Sequence, residues 1–190
     1  MLDQILSLDT ELLIFLNGLG SERYDGLWLT ITKQLYWTPF FLFLLFFIYK
    51  KLGGKQTLYF ILAIAVLITF TDQATNLFKN GFQRLRPCSN PEINTIIRVV
   101  QSRSSFSFFS GHASNSMAVA TFMYCVMHRH NKYGYMLFLW PLVFAYSRIY
   151  LGLHYPIDIL CGYLFGIFSG YLVFKIYQTV QKKYFPLFNF

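Results

Sequence analysis

Three polar clusters stand out in an otherwise apolar chain, and their residue types are those of phosphate chemistry. The first is Lys79-Asn80-Gly81-Phe82-Gln83-Arg84-Leu85-Arg86-Pro87. The second is Phe109-Ser110-Gly111-His112. The third runs from Ser147-Arg148 through His154 to Asp158. Lys79, Arg86 and Arg148 supply three cations. A guanidinium meets phosphate oxygens as a planar fork, and an ammonium adds a point charge. Ser110 and the backbone N–H of Gly111 stand where a helix is expected to start, and a helix N-terminus is a natural anion site. His112 and His154 offer a nucleophile and a general acid. Asp158 follows His154 by one helical turn, so its carboxylate can hold one ring nitrogen while the other stays free to attack. An enzyme acting on phosphate esters or anhydrides needs this inventory. No carboxylate cluster is present to hold Mg²⁺, so the expected route uses no metal and no cofactor.

Each piece alone has an ordinary reading. Arg86 or Arg148 by itself is an interfacial anchor, and a lone His112 or His154 is a satisfied interfacial histidine. Asp158 by itself is a helix N-terminal charge, stabilising by roughly 0.3–1 kcal/mol. All three would have to hold together, with every spacing accidental. Arg84, Arg98 and Arg103 lie outside the core of the clusters. Solvated loop charges weigh equally there with a grip on a second phosphate or a sugar headgroup. The aromatic and serine run from Ser102 to Ser110 reads as a lid or as packing against the bilayer surface.

The elements that must position these residues are membrane helices. Of 190 residues, 55% are hydrophobic and 13% charged, and the mean hydropathy is +0.44. A typical globular domain has about 25% charged residues. The composition excludes disorder, coiled coil and collagen. The net charge of +8 sits largely at helix ends, so no nucleic-acid partner is expected. Cys88, Cys125 and Cys161 show neither paired nor metal-ligand spacing. Asp3, Asp9 and Glu11 stand where a cleavable signal would need positive charge.

A helical span needs about 20 mostly apolar residues. Residues 2–16 are too short and too acidic, and read as a helix lying in the interface, followed by a turn at 17–21. Spans are expected at about 24–51 with a kink at Pro39, 58–79, 111–128, 135–152, and from Pro156 to about 178. The fold class is therefore all-α: a polytopic membrane bundle of about five transmembrane helices plus an N-terminal interfacial helix. It forms a single domain over residues 1–190, with a long polar segment at 80–110.

Segments 50–55, 128–132 and 175–183 hold Lys50, Lys51, Lys55, Arg129, Lys132, Lys175, Lys182 and Lys183, half of the 16 basic residues, with no acid among them. The positive-inside rule puts these segments in the cytoplasm. The N-terminal helix, the 80–110 segment and all three clusters then meet at the opposite face, the periplasmic one for a bacterial inner membrane. His128 and His130 fall on the cytoplasmic side, away from the chemistry. Lys33 and Asp72 each fall ~13 Å deep in an expected span. Intramembrane charges usually pair, so a structural ion pair is expected. The competing reading has Asp72 supporting Lys79 on the same helical face.

The patterns K-x6-R-P, S-G-H and S-R-x5-H-x3-D, in that order, resemble the three signature motifs of the type 2 phosphatidic acid phosphatase superfamily. These membrane lipid phosphatases are related in their site to vanadium haloperoxidases and bacterial acid phosphatases. The resemblance covers Lys79 to Asp158 and implies a role for each residue. Lys79, Arg86 and Arg148 bind phosphate, with Ser110 and Gly111 completing the cradle. His154 attacks phosphorus and forms a phosphohistidine, Asp158 orients His154, and His112 protonates the leaving oxygen before water cleaves the phosphoenzyme. Phe109 departs from the family pattern, which usually has Pro there. The substrate so implied is a membrane lipid phosphate or diphosphate, its tails in the bilayer and its headgroup between helix ends. The candidates are undecaprenyl diphosphate, which is favoured, phosphatidylglycerol phosphate, phosphatidic acid and lipid A phosphate. A lipid phosphotransferase using the same site, and a non-catalytic lipid-binding or transport protein, are the alternatives. No obligate protein partner is expected.

Overall fold

A computed structural model describes residues 1–128 and 132–184; Arg129 and His130 lie outside the described residues. Among the described residues the helices are, in order, α1 (Leu2–Gly18), α2 (Glu22–Ile31), α3 (Thr38–Phe82), α4 (Gly111–Met127), α5 (Leu139–Tyr150) and α6 (Pro156–Tyr184). Short 3₁₀ turns lie at Gln34–Trp37, Pro87–Ser89 and Gly134–Phe138, and no strand occurs among the described residues.

Apolar runs make the helices, and their breaks have local causes. Gly53 lies inside α3 with φ 76° and ψ 169°, a conformation open to glycine alone without cost. The chain reverses there. Phe41, Leu45 and Ile48 before it and Phe60, Ile64 and Ile68 after it line one cavity, so the two halves lie side by side as a hairpin. The continuous helix expected at 24–51 is interrupted at Lys33, not at Pro39. Lys33 is extended, with φ −86° and ψ 117°. Trp37 Nε1 donates to the Ile31 carbonyl at 2.8 Å, satisfying an acceptor that the end of α2 leaves open. Pro39 sits in the first turn of α3, where its missing N–H costs nothing.

That break corrects the expected ion pair. Lys33 is exposed, its Nζ 5.8 Å from the centre of the Tyr36 ring. Asp72 is exposed on α3 and accepts from Asn76 Nδ2 at 3.5 Å. The two do not pair. Leaving the helix at Lys33 frees its ammonium to reach the surface, so it needs no buried partner. Asp72 does lie within electrostatic reach of Lys79.

Large side chains such as Leu42, Phe43 and Phe46 on α3 and Leu160, Leu164 and Phe168 on α6 face outward. Apolar surface this extensive suits lipid rather than water. Among the described residues, Gln34–Ser89 and Pro156–Tyr184 are long and apolar enough to cross a membrane. The helix α4 is apolar and buried along nearly its whole length, as a central helix must be.

The α4–α6 contact sets the site. Gly162 and Gly166, four residues apart, share one face of α6 and let the backbones close up. A Cβ at Gly162 would stand 2.8 Å from the Ser110 carbonyl oxygen and 2.9 Å from Ala113 Cβ. This approach lets the Ser110 N–H donate to the Asp158 carbonyl at 3.0 Å. Gly162→Val is therefore expected to lower stability and activity together. Overpacking of this kind costs about 1–3 kcal/mol. The apparent melting temperature in detergent should fall by about 3–10 °C. Gly26→Ala, where an added Cβ meets nothing within 4 Å, is the control that should leave both unchanged.

Candidate active site

His154 lies in the turn between α5 and α6, and the backbone there is tightly specified. Gly152 has φ +76°, and a Cβ on it would come 3.0 Å from the Arg98 carbonyl oxygen. The Leu153 N–H donates back to the Arg148 carbonyl at 2.9 Å, and the Gly152 carbonyl accepts from the Cys88 N–H at 3.0 Å. These bonds lay the Pro87 turn against the His154 turn. Pro156 then starts α6 with its fixed φ.

The His154 side chain is 2% exposed. Its Nδ1 lies 3.3 Å from Asp158 Oδ2, and its Nε2 lies 2.9 Å from Arg86 Nη1. A guanidinium only donates. Nε2 is therefore unprotonated, its lone pair accepting from Arg86, and Nδ1 carries the proton towards Asp158. Burial, opposed by the bond to Asp158, pushes the His154 pKa down to about 3. The Asp158 carboxylate is buried and saturated. Its Oδ2 also accepts from the Tyr155 N–H at 3.0 Å and from the Ser107 hydroxyl, and its Oδ1 accepts from Arg84 Nη1 at 2.8 Å.

Two buried arginines adjoin the imidazole. Arg86 donates from Nε to the Ser105 carbonyl at 2.7 Å, from Nη1 to the Leu153 carbonyl at 2.9 Å, and from Nη2 to Ser105 Oγ at 3.0 Å. Arg148 donates from Nη1 to Thr32 Oγ1 at 2.6 Å, while its buried Nε has no partner. Lys79, partly buried near the end of α3, lies within electrostatic reach of both. Ser110 caps α4, its Oγ accepting from the Ala113 N–H at 3.4 Å, and Gly111 opens that helix. His112 stacks on Phe144, with ring centres 4.8 Å apart, and its Nε2 lies 3.3 Å from the Thr32 carbonyl. Arg148 and His154 are both within its electrostatic reach. Phe109 is buried among Phe78, Phe108 and Phe165, behind the cap.

Lys79, Arg86, Ser110, Gly111, His112, Arg148, His154 and Asp158 thus come together at one end of the bundle. Arg103 is exposed but within electrostatic reach of Arg86, Arg148 and His112. Two arginines depart from both readings weighed for them. Arg84 bridges Asp158 and Asp9, with Nη2 2.7 Å from Asp9 Oδ2. Arg98 Nη2 holds both Asp25 carboxylate oxygens at 3.0 Å. The reason is the same in both cases: acids on α1 and α2 fold over the site end and claim these side chains. The Ser102–Ser110 run is neither free lid nor bilayer packing throughout, since Ser105 and Ser107 hydrogen-bond inside the site. Thr32, Asp9 and Tyr155 are further neighbours that sequence reasoning missed. Only the serine run carried a visible signal. Among the described residues, no group of three or more His, Cys, Asp or Glu comes together to hold a metal ion.

Comparisons with known proteins bear on this arrangement. The family described as the PAP2 superfamily matches residues 56–182. A lipid A 4'-phosphatase of Bacteroides thetaiotaomicron is 37% identical over 188 residues, covering 96% of this chain and 83% of that protein. An undecaprenyl-diphosphatase of Sulfolobus acidocaldarius is 26% identical over 182 residues, covering 95% of this chain and 76% of that protein. The crystal structure of a transmembrane PAP2 type phosphatidylglycerolphosphate phosphatase from Bacillus subtilis superposes with a TM-score of 0.71. It is 19% identical and covers 93% of this chain and 88% of that one, a likeness of fold.

Proposed function

The chain belongs to the PAP2 superfamily of membrane phosphatases acting on lipid phosphates, and from that premise we propose that it removes phosphate from a lipid without a metal, through a phosphohistidine on His154. The observation that carries this reading is the state of His154: Nδ1 is turned to Asp158, and the unprotonated Nε2 meets a buried arginine. The phosphate displaces the Arg86 Nη1–Nε2 bond on arrival and takes Arg86, Arg148 and Lys79 as its partners. Nε2 forms the N–P bond as the P–O bond to the lipid breaks, and His112 gives its proton to the departing oxygen. Water, losing a proton to His112, then breaks the N–P bond and releases inorganic phosphate.

The favoured substrate is a phosphate of lipid A type. The 37% identity to a lipid A 4'-phosphatase along nearly the whole chain supports it over undecaprenyl diphosphate. The diphosphate remains a second reading because exposed Arg103, beside the cations of the site, is placed to take another phosphate group. Location in a bacterial inner membrane, with about five spans and the site facing the periplasm, draws support from α6. It starts at the site and ends with Lys182 and Lys183. Asp158 and Lys182 lie about 36 Å apart along it, enough to cross the hydrocarbon core.

The test is phosphate release by the purified protein in detergent with EDTA present. The four substrates are lipid A, undecaprenyl diphosphate, phosphatidylglycerol phosphate and phosphatidic acid, with His154→Ala beside each. Fastest release from lipid A is expected. Preference for the diphosphate selects the second reading. Phosphate recovered on an acceptor lipid and none free means a phosphotransferase. No turnover of any lipid overturns the proposal.

A further inference from the structure

We propose that Arg84 and Asp9 are positioning residues, which fix the carboxylate of Asp158 and through it the imidazole of His154. The proposal rests on the reading of His154 as the attacking group. Arg84 holds one oxygen of Asp158 directly and supports the other through Ser107. Its Nη1 donates to Oδ1 at 2.8 Å, and its backbone carbonyl accepts from the Ser107 N–H at 2.8 Å. Ser107 in turn gives its hydroxyl proton to Oδ2, the oxygen that faces His154 Nδ1. One residue thus sets the carboxylate plane from one side directly and from the other through a serine.

Arg84 is itself held in place. Its guanidinium carbon lies 3.8 Å from the centre of the Tyr155 ring, a stacked cation–π contact. Its Nη2 donates to Asp9 Oδ2 at 2.7 Å. Asp9 is 3% exposed, and its Oδ1 accepts from the Ile157 N–H at 2.8 Å, in the first turn of α6. An acid from the N-terminal helix therefore caps the helix that carries Asp158 and clamps the arginine that orients it. With Arg84 gone, two buried carboxylates would share one space with no cation between them, an arrangement that drives one of them to take a proton. Neither Arg84 nor Asp9 touches Nε2, where phosphorus must arrive, so both act through Asp158.

The experiment is a double-mutant cycle read in kcat and KM. Supporting groups of this kind typically cost 10–100-fold when removed. Arg84→Gln is expected to lower kcat by about 10–100-fold and to leave KM within about threefold, because no contact with the substrate is lost. In an Asp158→Asn background the same change should cost less than about threefold, since its effect is already gone. Arg84→Lys, which keeps the charge but cannot span two carboxylates, should recover part of the rate. Asp9→Asn, near-isosteric, should lose about 3–10-fold in kcat and carries the test if Arg84→Gln does not fold. A full loss that persists in the Asp158→Asn background, or a rise in KM with kcat intact, would overturn the proposal. The latter would make Arg84 a headgroup contact. Wild-type turnover and its loss in His154→Ala, run alongside, separate failure of this inference from failure of the phosphatase reading. The same cycle read in melting temperature reports the Arg84–Asp158 coupling even in a protein that turns over no lipid.

Discussion

His154→Ala is expected to lower phosphate release by at least about 10⁴-fold, the scale seen when a nucleophile is removed from a site that has no substitute. The loss should be large because Nε2 is the unprotonated ring nitrogen beside the buried arginines. The nearby Ser107 hydroxyl is committed to Asp158. Asp158→Asn should leave the fold intact and still cost about 10²–10⁴-fold. An amide can present its N–H to Nδ1, favouring the tautomer with the proton on the attacking nitrogen. The same assignment has a pH signature. An ordinary imidazole, with a pKa near 6.5, is about 97% protonated at pH 5 and could not attack. Burial holds His154 neutral down to about 3. Its reactive form is thus present above that value and lost only as the pH falls through it. Measured as kcat/KM between pH 4 and 8 and corrected for ionisation of the substrate, His154 should add no acid limb near 6.5. A limb there that disappears when His154 is altered would contradict the assignment.

Arg148 should also give a large effect, and its sign on stability is unusual. The side chain is 2% exposed, held by Thr32 at Nη1, with Nε unpartnered. A buried cation without an anion is a cost to the fold. Arg148→Ala is therefore expected to reduce kcat/KM by about 10²–10³-fold, the usual loss for a charged donor at developing charge. The melting temperature should hold or rise. Arg148→Lys keeps the charge but not the fork, and should still lose about tenfold or more. Inorganic phosphate should inhibit both variants less than the wild type. Full activity in Arg148→Ala would remove this residue from the phosphate cradle. A lowered melting temperature would show that its worth lies in packing.

The residues that converge were legible because charge is scarce in this chain. Eight residues of the right kinds, set at the ends of apolar runs, had to share a depth, and the Pro156 start and the Gly53 break were readable as punctuation. Depth is all that hydropathy reports. It does not say which side of a helix faces which neighbour. Arg84 and Arg98 were therefore misassigned: their partners Asp9 and Asp25 come from 75 and 73 residues away, on helices with no visible link to the site. Lys33 was misplaced for another reason. An apolar run interrupted by one extended residue has the same composition as an unbroken one, and the bond from Trp37 to Ile31 that stabilises the break leaves no pattern in the sequence.

The bond between Asp9 and the Ile157 N–H joins residues 148 apart in the chain. Its consequence concerns biosynthesis. The Asp9 carboxylate must wait through the synthesis of 148 further residues before its backbone partner exists. His154 and Asp158 emerge at the same late moment. A chain ending before α6 lacks Asp158 and the Ile157 N–H that Asp9 holds. Docking of α6 therefore supplies the Asp9 partner and the Asp158 carboxylate together.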